Sequence, residues 1–134
     1  MYLGNLDARR DWGFAKDYVE AMGLILQQKV PSDHVIASGE WYSVREFVEL
    51  VFANLEIEWV GEGLDGYGVD KSTGNIVIRI DSKFFRPNDV NLLIGDPSKA
   101  RKELGWKPKT KFNEFVKIMV DFDYELMKKS ILND

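Results

Sequence analysis

The chain has 134 residues, of which 45% are hydrophobic and 30% charged, with a formal net charge of −4. That length suits one domain with a real hydrophobic core, and the apolar-to-charged balance excludes a disordered or membrane-embedded polypeptide. Net negative charge argues against nucleic-acid binding, which needs a clustered basic surface; with no cysteine and His34 as the single histidine, thiolate chemistry and a common zinc site are excluded as well.

No apolar run approaches the roughly 20 residues of a membrane helix, and the opening MYLGNLDARRDWG lacks the apolar core of a signal peptide. The expectation is a cytoplasmic protein that meets neither membrane nor nucleic acid.

In chain order, KDYVEAMGLILQQ sets Tyr18, Ala21, Met22 and Ile25 at helical spacing and predicts an amphipathic helix ending before Pro31. Residues 34–38, HVIAS, read as a short buried strand. Ser43 and Glu46 are spaced as a capping box, followed on one helical face by Val44, Phe47, Val48, Val51, Phe52 and Leu55. EIEWV (56–60) and NIVIRI (75–80) read as strands. Asp96 and Pro97 suit a helix start and Gly105 its stop; a last helix carries Phe115, Met119, Phe122 and Leu126 on its apolar face. With no repeat, linker or low-complexity tract, residues 1–134 are read as a single domain of α+β class, with about four helices and several short strands.

GEGLDGYGVDK (61–71) holds G-x-G-x-x-G and Y-x-x-x-K together. The first binds pyrophosphate only where a helix leaves the glycine loop, and the second needs a helix to put Tyr67 and Lys71 on one face. Gly66, Gly68 and Gly74 oppose a helix there, so the stretch reads as a long hairpin connection, with no cofactor-binding residue in it.

Two other segments carry more. YLGNLDARRDWGFAKDYVEAM (2–22) and FFRPNDVNLLIGDPSKARKELGWKPK (84–109) resemble GDP-mannose 4,6-dehydratases, nucleotide-sugar enzymes of the extended short-chain dehydrogenase superfamily. SGEWYSVREFVELVF (38–52) and VDKSTGNIVIRID (69–81) follow the same family's order and spacing. The resemblance is to the family's C-terminal, substrate-binding part; nothing matches the Rossmann half that binds NADP and supplies the catalytic residues. It therefore implies no complete Rossmann domain, no catalytic residue and no cofactor in this chain alone. NADP would be held by the Rossmann half as a partner, and GDP-mannose would be converted to GDP-4-keto-6-deoxymannose by the joined enzyme.

The resemblance points to Arg10 and Arg86 as guanidiniums binding the diphosphate from two sides, chemistry that suits a planar bidentate donor. The bland alternative for Arg10 is an ion pair with Asp11 or Asp17. Asn5 either bonds the ligand or shapes a turn. Asp89 stands where the family usually has glutamate, suited to ribose hydroxyls. Arg9 is a weaker candidate. Asn91, Gly23 and Tyr42 depart from the family's usual aspartate, tryptophan and histidine. His34 reads as a strand residue rather than an acid or base, and Trp41, Trp59 and Trp106 as packing residues, with Trp12, which adjoins Arg10, the exception that could stack on a base.

Two functional classes stay open: the GDP-mannose-binding part of a dehydratase, or a stand-alone, non-catalytic binding or interaction module on the same fold. A face normally packed on the Rossmann half would be exposed, which predicts a homo-oligomer or local disorder in residues 2–12.

Overall fold

The computed structural model describes residues 1–53, 56–86 and 90–131. By chain contacts it falls into two compact units, Met1–Arg10 with Tyr42–Leu93, and Asp11–Trp41 with Ile94–Asp134. The crossings between units fall beside short strands, without the Gly- or Ser-rich tract that marks a linker.

The first unit holds β1 (Tyr2–Leu3), β2 (Arg9–Arg10), β3 (Tyr42–Ser43), α2 (Val44–Val51), β4 (Ile57–Val60), β5 (Tyr67–Asp70), β6 (Ile76–Ile80) and β7 (Leu92–Leu93). Antiparallel β4, β5 and β6 form a meander to which β1 adds in parallel, in the order β1-β6-β5-β4. β-Branched residues suit such a half-buried pleat, and Ile78 lies completely buried on β6. A three-stranded sheet, β3-β2-β7, pairs β2 antiparallel to β3 and parallel to β7.

The capping box forms as expected. Ser43 Oγ accepts from the Glu46 amide at 3.1 Å, and Glu46 Oε2 accepts from the Ser43 amide at 2.6 Å. Val48 is buried beneath the helix; Leu55, expected on the same face, lies outside the described residues.

EIEWV and NIVIRI become β4 and β6, but the connection between them contains a strand the sequence reading did not foresee. Gly63–Asp65 is a 3-10 turn, and Tyr67–Asp70 then pairs with both neighbours. Glycine's poor strand propensity hid β5. At Gly68 a Cβ would stand 3.0 Å from Ile57 Cγ2 and 3.2 Å from Trp59 Cζ3, at a bulge in the β5–β6 register, so the backbone's close approach is what selects glycine. Tyr67 and Lys71 are on no helix, and no helix leaves the glycine stretch.

The β5–β6 turn is organised by Asp70, whose carboxylate accepts from the hydroxyls of Thr73 (2.6 Å) and Ser72 (2.7 Å) and from the Ser72 amide (2.9 Å). Those bonds, the Thr73 hydroxyl first, hold its carboxyl below the usual aspartate value. A depressed folded value means the stabilisation is complete above the ordinary aspartate range and is lost as pH falls through the folded value. Asp70→Asn is therefore expected to flatten the acid limb of a urea-midpoint-against-pH curve. An unchanged acid limb would show that Asp70 is not linked to folding.

The second unit contains α1 (Ala15–Leu26), α3 (Ser98–Leu104) and α4 (Phe112–Ile131), so the described residues hold four α-helices. Its core is Ala21, Ala100 and Trp106, flanked by Tyr18, Leu24, Ile36 and Leu104. On α1 the buried face centres on Ala21; Met22, expected there, is exposed, and at Gly23 an added Cβ would meet open space.

Asp17, in the first turn of α1, is buried. Its Oδ2 accepts from the amides of Lys109 (2.9 Å) and Thr110 (2.8 Å), while its carbonyl accepts from Trp106 Nε1 at 3.0 Å. One residue thus fastens the turn after α3 back onto α1. Gly105 ends α3 in the left-handed conformation, φ +64°, as its sequence position implied. Asp96 accepts from the Ser98 amide at 2.9 Å; the helix boundary lies one residue beyond the expected start.

Two expectations fail in this unit. Residues 34–38 form no strand. Asp11 replaces ladder bonding there: its carboxylate accepts from the amides of Ser38 (2.8 Å) and Gly39 (2.9 Å), and more weakly from Gly95 (3.4 Å). Ala37 is buried where Gly95 leaves room, since a Cβ on Gly95 would approach the Ala37 Cβ to 2.3 Å. On α4, only the first turns are covered. Phe112, Phe115 and Val116 are buried, whereas Met119, Phe122 and Leu126 are exposed along the same apolar stripe. Of the tryptophans, Trp106 is buried and Trp41 exposed, and Trp59 lies beneath the Arg45 guanidinium, 4.5 Å from the ring centroid.

Candidate functional site

The site residues expected from sequence belong to two stretches of the first unit, residues 4–10 and residues 84–91. These stretches are stitched together at several points. Upstream, the Asp81 amide donates to the Leu3 carbonyl at 2.9 Å, continuing the β1–β6 pairing. A Cβ on Gly4 would fall 2.2 Å from the Phe84 carbonyl oxygen, so only glycine lets the two backbones pass so closely. Downstream, the Arg9 amide donates to the Asn91 carbonyl at 2.8 Å, and Arg9 and Arg10 pair with Leu92 and Leu93.

Arg10 completes the stitching with its side chain. Its Nη1 donates to the carbonyls of Arg9 and Val90, each at 2.7 Å. The guanidinium is thereby tied to the backbone of Val90, four residues after Arg86. Of the two carboxylates weighed as its ion-pair partners, Asp11 accepts from the amides of Ser38 and Gly39, and Asp17 from those of Lys109 and Thr110.

Arg86 is exposed, two residues after the 3-10 turn Ser82–Phe84. Asn5 Oδ1 accepts from the Asp7 amide at 3.0 Å, which is the turn-shaping geometry. Asp7 in turn pairs with Arg45, whose Nη2 lies 3.0 Å from Oδ1. Asp89 lies outside the described residues. The structure thus places Arg10 on β2 and Arg86 just after the 3-10 turn Ser82–Phe84; Asn5 precedes β2, and its side-chain oxygen turns back to the Asp7 amide.

Sequence reasoning missed the role of Val90 and Gly4. Gly4 had a legible signal only in retrospect, as a glycine directly after a strand; a carbonyl such as that of Val90 has no residue-type signature at all.

The fold is also that of part of two solved structures. A UDP-glucose 4-epimerase from Thermotoga maritima, solved with UDP-glucose, superposes with a TM-score of 0.67 at 20% identity, covering 95% of this chain and 35% of its own. The RMD protein of Pseudomonas aeruginosa, complexed with NADPH, gives a TM-score of 0.67 at 17% identity over 90% of this chain and 34% of its own. At those identities the likeness carries the fold alone.

Sequence carries the family. The GDP-mannose 4,6 dehydratase family model matches residues 1–119, and the chain belongs to that family. It is 55% identical over 130 residues to the GDP-mannose 4,6 dehydratase of Drosophila melanogaster, covering 96% of this chain and 33% of that protein. The chain therefore spans about a third of the length of the curated relatives it matches. No helix among the described residues is long and apolar enough to cross a membrane.

Proposed function

We propose that this chain is the nucleotide-sugar-binding part of a GDP-mannose 4,6-dehydratase, acting as one substrate-binding domain in the cytoplasm. Its task is to grip the diphosphate of GDP-mannose with Arg10 on β2 and Arg86 after the 3-10 turn, with Asp89 and Asn5 as polar contacts. Catalysis and NADP binding belong to the Rossmann half of the joined enzyme, which converts GDP-mannose to GDP-4-keto-6-deoxymannose; no residue of this chain has a catalytic role. The observation that carries the reading is the Arg10–Val90 bond, which ties one arginine motif to a backbone carbonyl four residues after the arginine of the other.

The test is calorimetric titration of GDP-mannose into the chain and its variants. A charge-assisted bond contributes about 1.5–3 kcal/mol, so Arg86→Ala is expected to weaken binding by roughly 10- to 100-fold. Arg10→Ala should cost at least as much, since it also frees the Val90 carbonyl, and Arg10→Lys should recover only part because lysine lacks the planar fork. Unchanged affinity in Arg86→Ala would remove that residue from the site.

A second reading, a non-catalytic interaction or self-association module on the same fold, is favoured by the exposed stripe of Met119, Phe122 and Leu126 on α4. Concentration-dependent association in light scattering, with no GDP-mannose binding, would select it.

A further inference from the structure

α4 outruns the core it begins in. Phe112, Phe115 and Val116 are buried, but from Lys117 to Ile131 every residue is exposed except the half-buried Val120. A helix of that length is marginal in water unless an apolar face is covered.

With about 3.6 residues per turn, the uncovered span carries two apolar stripes on separate faces: Met119, Phe122 and Leu126 on one, and Val120, Tyr124, Met127 and Ile131 on the other. Tyr124, Met127 and Ile131 are 59% to 71% exposed, and their alternating three- and four-residue spacing is that of a coiled-coil seam. This second stripe lies beyond residues 1–119, the part that the family model matches.

Charge decides which stripe suits a second copy. In an antiparallel pair with Tyr124 on Met127 and Val120 on Ile131, Asp121 of each helix falls beside Lys128 of the other, and Asp123 falls beside Ser130. Asp121 Oδ2 accepts from Lys117 Nζ at 2.6 Å, one turn back, and a carboxylate has room for a second donor. The first stripe fails the same test. With Phe122 on Leu126, Glu125 of each helix meets Glu125 of the other, and Lys129 stands in the seam itself.

We propose that a second copy of this chain covers the Val120, Tyr124, Met127 and Ile131 face, as a two-fold antiparallel helix pair guided by two Asp121–Lys128 contacts. The two-fold makes the interface self-complementary, and the antiparallel crossing sets opposite ends of the two helix dipoles together. With so few side chains from each copy, the interface falls below the roughly 1,000 Å² of a stable complex, so the dimer is weak. It is independent of nucleotide recognition, because none of its residues belongs to the stretches 4–10 and 84–91.

Sedimentation equilibrium of the 134-residue chain tests this, with the dimer expected to appear only toward about 1 mM. Met127→Glu should abolish association, while Leu126→Glu, similarly exposed but on the other stripe, should leave it unchanged. Asp121→Lys and Lys128→Glu should each weaken it about tenfold, since both contacts turn from attraction to repulsion. An equimolar mixture of those two variant chains should associate as the parent does, because each supplies the charge the other lacks. All four positions are exposed, so the variants keep the fold. A monomer at every concentration, loss of association in Leu126→Glu rather than Met127→Glu, or a mixture no tighter than its components would each overturn the proposal.

Discussion

Replacing Trp106 with alanine is expected to destabilise the second unit by about 3–5 kcal/mol, the range for emptying a buried aromatic site. Three losses coincide. The indole packs between Ala21 and Ala100, whose side chains are too short to collapse into the space it leaves. It meets the Tyr18 ring edge-on, with centroids 6.1 Å apart. It also gives its N–H to the Asp17 carbonyl. Against a total stability of ~5–15 kcal/mol for a typical domain, such a loss is a large fraction of the whole. Trp106→Phe keeps an aromatic ring against Tyr18 but not the N–H, and is expected to cost about 1–2 kcal/mol. Urea unfolding of both variants checks the ordering; equal losses would mean the hydrogen bond, and not the packing, dominates.

The second large effect is expected at Asp17. Its carboxylate is buried and receives two backbone amides that follow the tryptophan turn, so Asp17→Ala strands both donors. Leaving buried groups unsatisfied costs about 1–3 kcal/mol each, and a loss of roughly 2–4 kcal/mol follows because water reaches part of the opened turn. Asp17→Asn retains an acceptor and should recover about half. Because Trp106 and Asp17 share one network, the double variant is expected to lose less than the sum of the singles. Strict additivity in that cycle would separate the two roles. The neighbouring Lys109–Glu20 pair, 2.7 Å but exposed, is expected to contribute little beside them.

The parts of this fold that were legible in the sequence are those governed by local rules. The capping box of Ser43 and Glu46, the β-branched strands around Ile57 and Ile78, and the αL stop at Gly105 each depend on a few adjacent residues. What was not legible depends on contacts distant in sequence. The strand β5 carries Gly68 where it passes close to Ile57 and Trp59, a reason absent from its own composition. Residues 34–38 have the composition of a strand, yet Asp11, 27 residues before Ser38, takes the backbone amides that a ladder would have used. The stripe on α4 is continuous in periodicity but covered only at Phe112, Phe115 and Val116, and periodicity does not encode where covering ends.

The candidate site divides in the same way. Arg10 and Arg86 were found through the motifs around them, while the bond from Arg10 to the Val90 carbonyl could not be foreseen, since a carbonyl is common to every residue. Residues 2–12, for which self-association or local disorder was expected, contribute β1 and β2 to the two sheets, paired with residues 79–81 and 91–93.

The central claim, that these stitched stretches recognise a guanine nucleotide sugar, is tested most directly by titrating the chain with GDP-mannose, GDP and UDP-glucose while following backbone amide shifts. The account predicts weak binding, because a partial site still bears the full cost of orienting its ligand. GDP-mannose and GDP should shift Arg10, Arg86 and Val90 in common, with UDP-glucose much weaker. Shifts elsewhere, or none with any of the three ligands, would contradict it.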